Sequence, residues 1–443
     1  HRSWRRMSTI HPLSDARKAL QEGSITAREL LERHLSVMDK IEPDVRAMVT
    51  ITVDRARQQA DEADRRLRAG ESAPLLGIPV VVKDLIDVDG IPTTAGSKVL
   101  AGNIAGSSAP SWVALKDAGA VLLGKANTHE FAYGGTTEPT RNPWDLSRMV
   151  GGSSGGPAAA LAAGYCLGAL GSDTAGSIRI PANLCGVAGL KPTRGIVSTE
   201  GVIPLSPTLD VVGPMARHAA DLISLFMALV PGSADEVITS SDLGQFKVGL
   251  LSMEGPSDPS AREAVDRAIQ TLRRAGASVV PARLDGLPTS LGANFTIMGY
   301  EAAQYHRQFE DRRDLYTPYV RDRLAEAAAV TTAQYEEARS YAEDLTARVD
   351  DLLAEVDVIL MRGVAFPAPP AYDPSVLIDG EWRDRDTELC RNTAFANLTG
   401  HPVVAVPVME DAGLPMGVQL VGQKGNDVSL IAVAGELQDR FPA

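Results

Sequence analysis

The chain has 443 residues, 44% of them apolar, enough for one large α/β domain or for two or three average ones. A net charge of −13 argues against a phosphate-backbone partner, which calls for a basic face. Three cysteines, Cys166, Cys185 and Cys390, with no CxxC pair, are too few for a disulfide framework or a structural zinc site and point to reduced thiols in a cytoplasmic setting.

The N-terminal segment HRSWRRMSTIHPLSDARK has basic residues but no apolar signal-peptide core, and Met7 reads as a native start with His1 to Arg6 added ahead of it. Residues 12–40 read as two helices, the second opened by a capping box of Thr26 and Glu29. Residues 46–52 read as a strand and 54–69 as a charged helix. Val80, Val81 and Val82 form a β-branched run that reads as a buried strand ending at Lys83. A helix over 109–118 and a short strand over 121–123 follow, and this alternation predicts α/β layers around a central sheet.

Beyond residue 195 the alternation continues. It gives a helix over 216–230, a strand over 246–252, a helix from Ser260 ending at Gly276, and a strand over 278–282. Residues 297–354 are mostly helical and highly charged. A strand over 356–361 leads into a Pro-rich segment, then a helix over 386–399, strands over 403–408 and 415–422, and a helix over 427–440. There is no low-complexity linker and no internal repeat. The stretch nearest a boundary is 231–245, but like elements continue on both sides, which predicts a single domain over 7–443.

Residues 150–194 carry the densest chemical signal. Two Gly/Ser clusters, Gly151 to Gly156 and Thr174 to Ser177, are joined by small residues, and Val150 to Ser172 holds no charge. A charge-free run of that length is a membrane-helix candidate, but seven glycines and Pro157 make it weakly hydrophobic, so a buried helix of small residues is expected. Glycines beside serines let backbone N–H groups approach a reacting atom, as a nucleophile beside an oxyanion site requires. GGSSGG also matches G-x-S-x-G, yet the lead-in NPWDLSRMV does not read as the strand a nucleophile elbow needs. Gly119 to Ala126 resembles a P-loop without its Ser/Thr and reads as a strand plus a turn. Lys83 either snorkels to water or is held desolvated, in which case its neutral amine is a base. Asp173 and Arg179 are placed to pair and brace the Ser177 loop.

Together PVVVKD ending in Lys83, GKANTHEFAYG, GGSSGG, GSDTAGSIRIPANLCGVAGLKPTRG and NLTGHPVVAVPV with GLPMGVQLVG resemble the amidase signature family, from about residue 12 onward. The resemblance implies a mixed, twisted sheet sandwiched between helix layers and a Ser–cis-Ser–Lys triad. Lys83 matches the lysine, Ser153 the cis-serine and Ser177 the nucleophile, with the oxyanion held by the backbone N–H groups of Thr174, Ala175, Gly176 and Ser177. Asn127, Thr128, Tyr133 and Ser154 are implied near the substrate. Arg362, which replaces the usual Thr-Pro run of the family, either alters specificity or pairs with an acid. Ala175 stands where glycine is common and fits if its φ is negative. No metal and no cofactor is implied.

Two activities follow from the resemblance. One is a free-standing amidase, monomer or homodimer, cleaving small-molecule amides, anilides or carbamates, with no nucleic-acid or membrane partner. The alternative is the glutamine-hydrolysing A subunit of a tRNA-dependent amidotransferase. The first is favoured here, because an arginine-rich helix associated with glutamine recognition is not found.

Overall fold

The computed structural model describes residues 12–233, 242–252, 255–411 and 414–441. His1 to Arg6 and Met7 lie outside the described residues, as do positions 234–241 of the 231–245 stretch.

In chain order the strands are β1 (Met48–Ile51), β2 (Pro79–Lys83), β3 (Val121–Ala126), β4 (Gly168–Asp173), β5 (Ala188–Lys191), β6 (Val211–Ala216), β7 (Lys247–Leu251), β8 (Ser278–Ala282), β9 (Val358–Arg362), β10 (Ser375–Ile378), β11 (Glu381–Asp384), β12 (Val403–Asp411) and β13 (Leu414–Val421). Eleven of them form one sheet in the order β1-β3-β2-β4-β6-β5-β12-β13-β9-β7-β8, while β10 and β11 pair as a hairpin. β2 runs parallel to β3 and β4, and β7 runs parallel to β8 and β9. The remaining pairs are antiparallel, so the sheet is mixed, as expected for this α/β architecture.

Helices cover both faces. Val358 and Leu360 of β9 face one apolar core and Ile359 and Met361 the other, the two-residue alternation of a strand placed between layers. The first core takes Leu31, Leu35 and Met38 from helix Ala27–Val45. That helix starts at the expected capping box: Thr26 Oγ1 accepts from the Glu29 N–H at 3.1 Å and Glu29 Oε2 accepts from the Thr26 N–H at 2.9 Å. The second core takes Ile297 from helix Ser290–His306 and Leu345 and Val349 from helix Thr332–Glu355, so the charged layer is amphipathic. With both faces covered, every residue of β2, β3 and β4 is buried, which explains why they are apolar or small apart from Lys83, Lys125 and Ser172 with Asp173 at their C-terminal ends.

Three segments differ from expectation. The helix expected over 216–230 is present but shorter, Leu222–Leu229 behind one 3-10 turn at Ala219–Asp221, and β6 ahead of it has no counterpart among the expected elements. VVGPMA is buried on both faces and interrupted by Gly213 and Pro214, so no strand periodicity marks it. The helix expected over 386–399 is two short ones, Arg385–Cys390 and Phe395–Thr399. The segment between Ser153 and Ser177, expected to be one buried helix, is helix Gly155–Ala163 and then β4. Gly164, at φ 81°, ends the helix in the left-handed conformation that glycine accepts.

Because β2, β3 and β4 are parallel, their C-terminal ends lie along one edge of the sheet, where α/β sheets hold their ligands. Lys83 is the last residue of β2, and Ser172 and Asp173 close β4. Central packing leaves no spare volume: a Cβ at Gly213 of β6 would sit 2.2 Å from the Leu190 carbonyl oxygen. Gly213→Ala is therefore expected to destabilise the protein by about 1–3 kcal/mol or more, read as a lower urea midpoint, whereas an unchanged midpoint would show that β5 and β6 can separate freely.

Candidate active site

The site begins with a lysine that is wholly buried. Lys83 Nζ donates to Ser153 Oγ at 2.7 Å and to Ser172 Oγ at 2.9 Å. Burial lowers its ammonium from the usual range to about 7, against the opposing pull of the Asp173 and Asp210 carboxylates. A lysine with that pKa exchanges its proton near neutrality and is suited to act as a base.

Ser153 follows a cis Gly152–Ser153 peptide bond and is fully buried. Its carbonyl accepts from the His129 N–H at 3.2 Å and from Thr137 Oγ1 at 3.3 Å. A Cβ on Gly152 would meet the Thr136 carbonyl oxygen at 2.4 Å, so only glycine lets the 136–137 segment lie this close. Ser154 anchors the loop: its N–H donates to the Ser177 carbonyl at 3.1 Å, its Oγ donates to the Ser172 carbonyl at 2.9 Å, and the Ser172 N–H donates to its Oγ at 3.2 Å. The Ser153 loop is thereby tied to β4 and to Ser177.

Ser177 stands on the turn between β4 and helix Arg179–Cys185. The turn is organised around Asp173, whose carboxylate accepts from the Gly176 N–H at 2.9 Å and the Ile178 N–H at 3.1 Å. Arg179 Nε and Nη2 approach the same carboxylate at 3.0 and 2.9 Å, the brace that the sequence predicts. Burial would raise this carboxyl, but the Arg179 guanidinium and the Asn397 amide outweigh it and hold it at about 2. The positive φ of the turn, 128°, falls on Gly176 and not on Ala175, which removes the objection to alanine there.

Several expected roles do not match these positions. The Gly176 N–H already donates to Asp173, so it is not an oxyanion donor; the candidate donors are the N–H groups of Thr174, Ala175 and Ser177. Asn127 bridges loops, donating from Nδ2 to the Arg46 carbonyl at 2.8 Å. Thr128 donates to the His129 carbonyl at 3.0 Å. Ser154 is consumed by the anchoring bonds above. Tyr133 packs against Arg323, its ring 4.9 Å from the guanidinium. Arg362 closes β9 among Arg391, Arg262, Glu388 and Asp379, and burial together with those arginines lowers it to about 10.

Other residues of the site went unnoticed in the sequence. Asn397 Nδ2 donates to Asp173 Oδ1 at 2.9 Å and Asn397 Oδ1 accepts from Arg179 Nη2 at 2.7 Å. Gln419 Oε1 accepts from Arg179 Nη1 at 3.0 Å. Thr393 Oγ1 donates to the Ala175 carbonyl at 2.5 Å, and Asn294 Nδ2 donates to the Thr174 carbonyl at 3.1 Å. Asp210 accepts from Thr174 Oγ1 at 2.6 Å, and burial raises its carboxyl to about 6. A usable signal existed for Asn397 and Gln419: each is a lone amide within an apolar run, ANLT and GVQLV, and a buried amide needs partners.

A desolvated lysine on a serine, tied by backbone to a second serine whose turn presents N–H groups, is an arrangement for acyl transfer from an amide. The model of the amidase family matches residues 29–431. The chain therefore belongs to the amidase signature family, whose enzymes are hydrolases acting on carbon–nitrogen bonds. It is similar to the A subunit of the glutamyl-tRNA(Gln) amidotransferase of Roseiflexus sp. (strain RS-1), 36% identical over 98% of this chain and 97% of that protein. Among solved structures it resembles the A subunit of the same enzyme from Thermotoga maritima at a TM-score of 0.81 and 28% identity, over 98% of this chain and 95% of the other. It also resembles a chain of "an unexpected vestigial protein complex" bearing on the origins of "an s-triazine catabolic enzyme", at a TM-score of 0.91 and 34% identity, over 97% of this chain and 98% of the other.

The relatives overturn the expectation of a free-standing amidase on small-molecule amides, anilides or carbamates, and with it a monomer or homodimer without nucleic acid. The charge argument failed because net charge sums a whole surface, and one protein of an assembly need not itself carry the basic face that the assembly uses.

Burying Lys83 has a stability consequence with a definite sign. Its folded pKa of about 7 lies below the ordinary 10.5, so the unfolded chain binds more protons between those values. The resulting destabilisation is complete below about pH 7 and fades as pH rises toward 10.5. Lys83→Met is expected to raise the urea midpoint at pH 6 and to lose that advantage in alkaline buffer; a lowered midpoint at both pH values would contradict the desolvation account.

Proposed function

We propose that the chain is the glutamine-hydrolysing A subunit of a tRNA-dependent amidotransferase, releasing ammonia through an acyl-enzyme on Ser177. The observation that carries this reading is likeness along nearly the whole chain, 34–36% identity over 95–98% of it, to proteins that bear that name. The Lys83–Ser153 hydrogen bond of 2.7 Å supports it chemically.

In this mechanism neutral Lys83 takes the Ser153 hydroxyl proton while Ser153 takes the proton of Ser177. Ser177 Oγ attacks the carboxamide carbon of glutamine, and the negative oxygen that develops is met by the N–H groups of Thr174, Ala175 and Ser177. The proton returns along the same path to the nitrogen, ammonia leaves, and a γ-glutamyl ester remains on Ser177. Water activated along the reverse of that path releases glutamate and free Ser177. Asp173 and Arg179 keep the turn in place throughout. Ammonia release suits an assembly in which another protein supplies the acceptor acid on tRNA.

Incubation with glutamine is expected to release glutamate and ammonia, alone or with the proteins that co-purify, and to leave a γ-glutamyl mass on Ser177 in quenched samples. Ser177→Ala is expected to lose at least about a thousandfold in kcat and to carry no adduct. Absence of glutamate release in both settings would sink the reading. Because the base is the neutral amine, kcat/KM is expected to fall about tenfold per pH unit below the Lys83 pKa of about 7 and to level off above it. A profile flat from pH 5 to 8 would remove Lys83 from the base role.

A further inference from the structure

Each turnover of an amide hydrolase consumes one amide and one water and leaves ammonia, a carboxylate and one proton. The carboxylic acid freed from the acyl-enzyme ionises near pH ~4, well below the Lys83 pKa of about 7, so its proton passes to Lys83. Lys83 is wholly buried, yet its amine must be neutral again before the next turnover. In the mechanism above Ser153 leads from the amine toward Ser177 and the substrate. The second hydroxyl that Lys83 donates to, Ser172 Oγ at 2.9 Å, takes no part in that transfer.

Ser172 lines a narrow cavity of about 60 Å³ together with Thr174 and Asp210. That is room for about two water molecules at ~30 Å³ each. Ser172 is 6% exposed and Asp210 is half-buried, while Thr199 and Pro207, both exposed, stand in the same lining and mark its mouth. Neither Ser153 nor Ser177 is among the lining residues, so the cavity reaches the lysine by way of Ser172.

Asp210 suits the outer end of such a path. Its carboxylate accepts from Thr174 Oγ1 at 2.6 Å, from the Leu205 N–H at 2.9 Å and from the Ser206 N–H at 3.1 Å. Among the described residues no cation pairs with it, in contrast to Asp173 and its Arg179. Burial raises the carboxyl to about 6 against the hydrogen bond from Thr174, and Glu301 adds to the rise. Its proton affinity therefore lies just below that of Lys83, which permits transfer and release near neutral pH.

We propose that Ser172, water in this cavity and Asp210 form the route by which the buried base Lys83 returns its proton to solvent. The inference rests on the amide hydrolysis proposed above. Lys83 gives its extra proton to Ser172 Oγ as Ser172 gives its own to water. The water passes one to Asp210, which releases it at the mouth between Thr199 and Pro207. Lys83 ends neutral, Ser172 and the water are regenerated, and one proton has left.

The test separates the first turnover from later ones, using the enzyme in the assembly that gives activity at pH 8, where Lys83 starts neutral. Asp210→Asn retains an acceptor for Thr174 but cannot take up the proton. Ammonia formation in the first turnover, followed by rapid quench, is expected to stay within about threefold of the parent. Steady-state kcat is expected to fall about tenfold or more, and to recover as the concentration of imidazole buffer is raised. Should Asp210→Asn fail to fold by thermal melting, Ser172→Ala is expected to show the same split between first and later turnovers. Equal losses in first and later turnovers with no response to imidazole would reduce Asp210 to a support of the Thr174 turn and overturn the route, as would an unchanged kcat. If the parent cleaves another amide but not glutamine, the glutamine reading falls and the same comparison on that amide decides the route; hydrolysis of no amide sinks both.

Discussion

The Asp173 carboxylate is the point at which distant parts of the chain meet the Ser177 turn. It receives two N–H groups of the turn, the Arg179 guanidinium and the Asn397 amide, all out of water. A buried carboxylate is costly unless its lone pairs are filled, so the C-terminal elements that supply those partners cannot move independently of the turn. Gln419 of β13 and Thr393, in the break between the two short helices, extend the same constraint to the Arg179 guanidinium and the Ala175 carbonyl. The negative charge also acts on Lys83, holding its proton affinity above what burial alone would leave.

At Lys83 burial works the other way. It weakens the fold at neutral pH and gives the site an amine that exchanges a proton there. The hydroxyls of Ser153 and Ser172 are its direct partners at 2.7 and 2.9 Å, groups that accept a hydrogen bond without fixing the positive charge as a carboxylate at that distance would. Lys125, at the C-terminal end of neighbouring β3, provides the contrast. That lysine is equally buried, but Asp84 Oδ1 lies 3.1 Å away, and the pair is structural. Both lysines meet hydroxyls, Lys125 that of Thr93 at 3.0 Å, and what sets them apart is that only Lys125 also has a carboxylate in direct contact.

Local patterns in the sequence held most of the helices and the apolar strands, because capping boxes, 3.6-residue periods and β-branched runs are read within a few residues. The capping box at Thr26 and the strand ending at Lys83 are of this kind. β4 and β6 escaped because strands covered on both faces carry no alternation, and glycines and prolines within them resemble turns. For the site, the glycine and serine clusters were legible, and the family resemblance supplied the pairing with Lys83. Asp210, Thr393 and Asn294 were not legible, since they reach the Thr174 hydroxyl and the Ala175 and Thr174 carbonyls from 36, 218 and 120 residues along the chain. The choice between a small-amide enzyme and one component of an amidotransferase was misjudged because motifs around the reacting atoms are shared by both.

By itself the sequence determined the residue types that can do the chemistry, the spacing of the two serines, and the small residues that permit close approach. Those are properties of side-chain identity and backbone freedom, and they travel with the chain. The tertiary structure alone decided which N–H groups of the Ser177 turn remain available, because Asp173 takes that of Gly176. It also decided that Ser154 anchors a loop instead of facing a substrate, and that Lys83 is wholly desolvated. A hydrogen bond, like a pKa, depends on what surrounds a group in space, and here those surroundings arrive from segments as much as 240 residues away in the chain, as Gln419 does to Arg179.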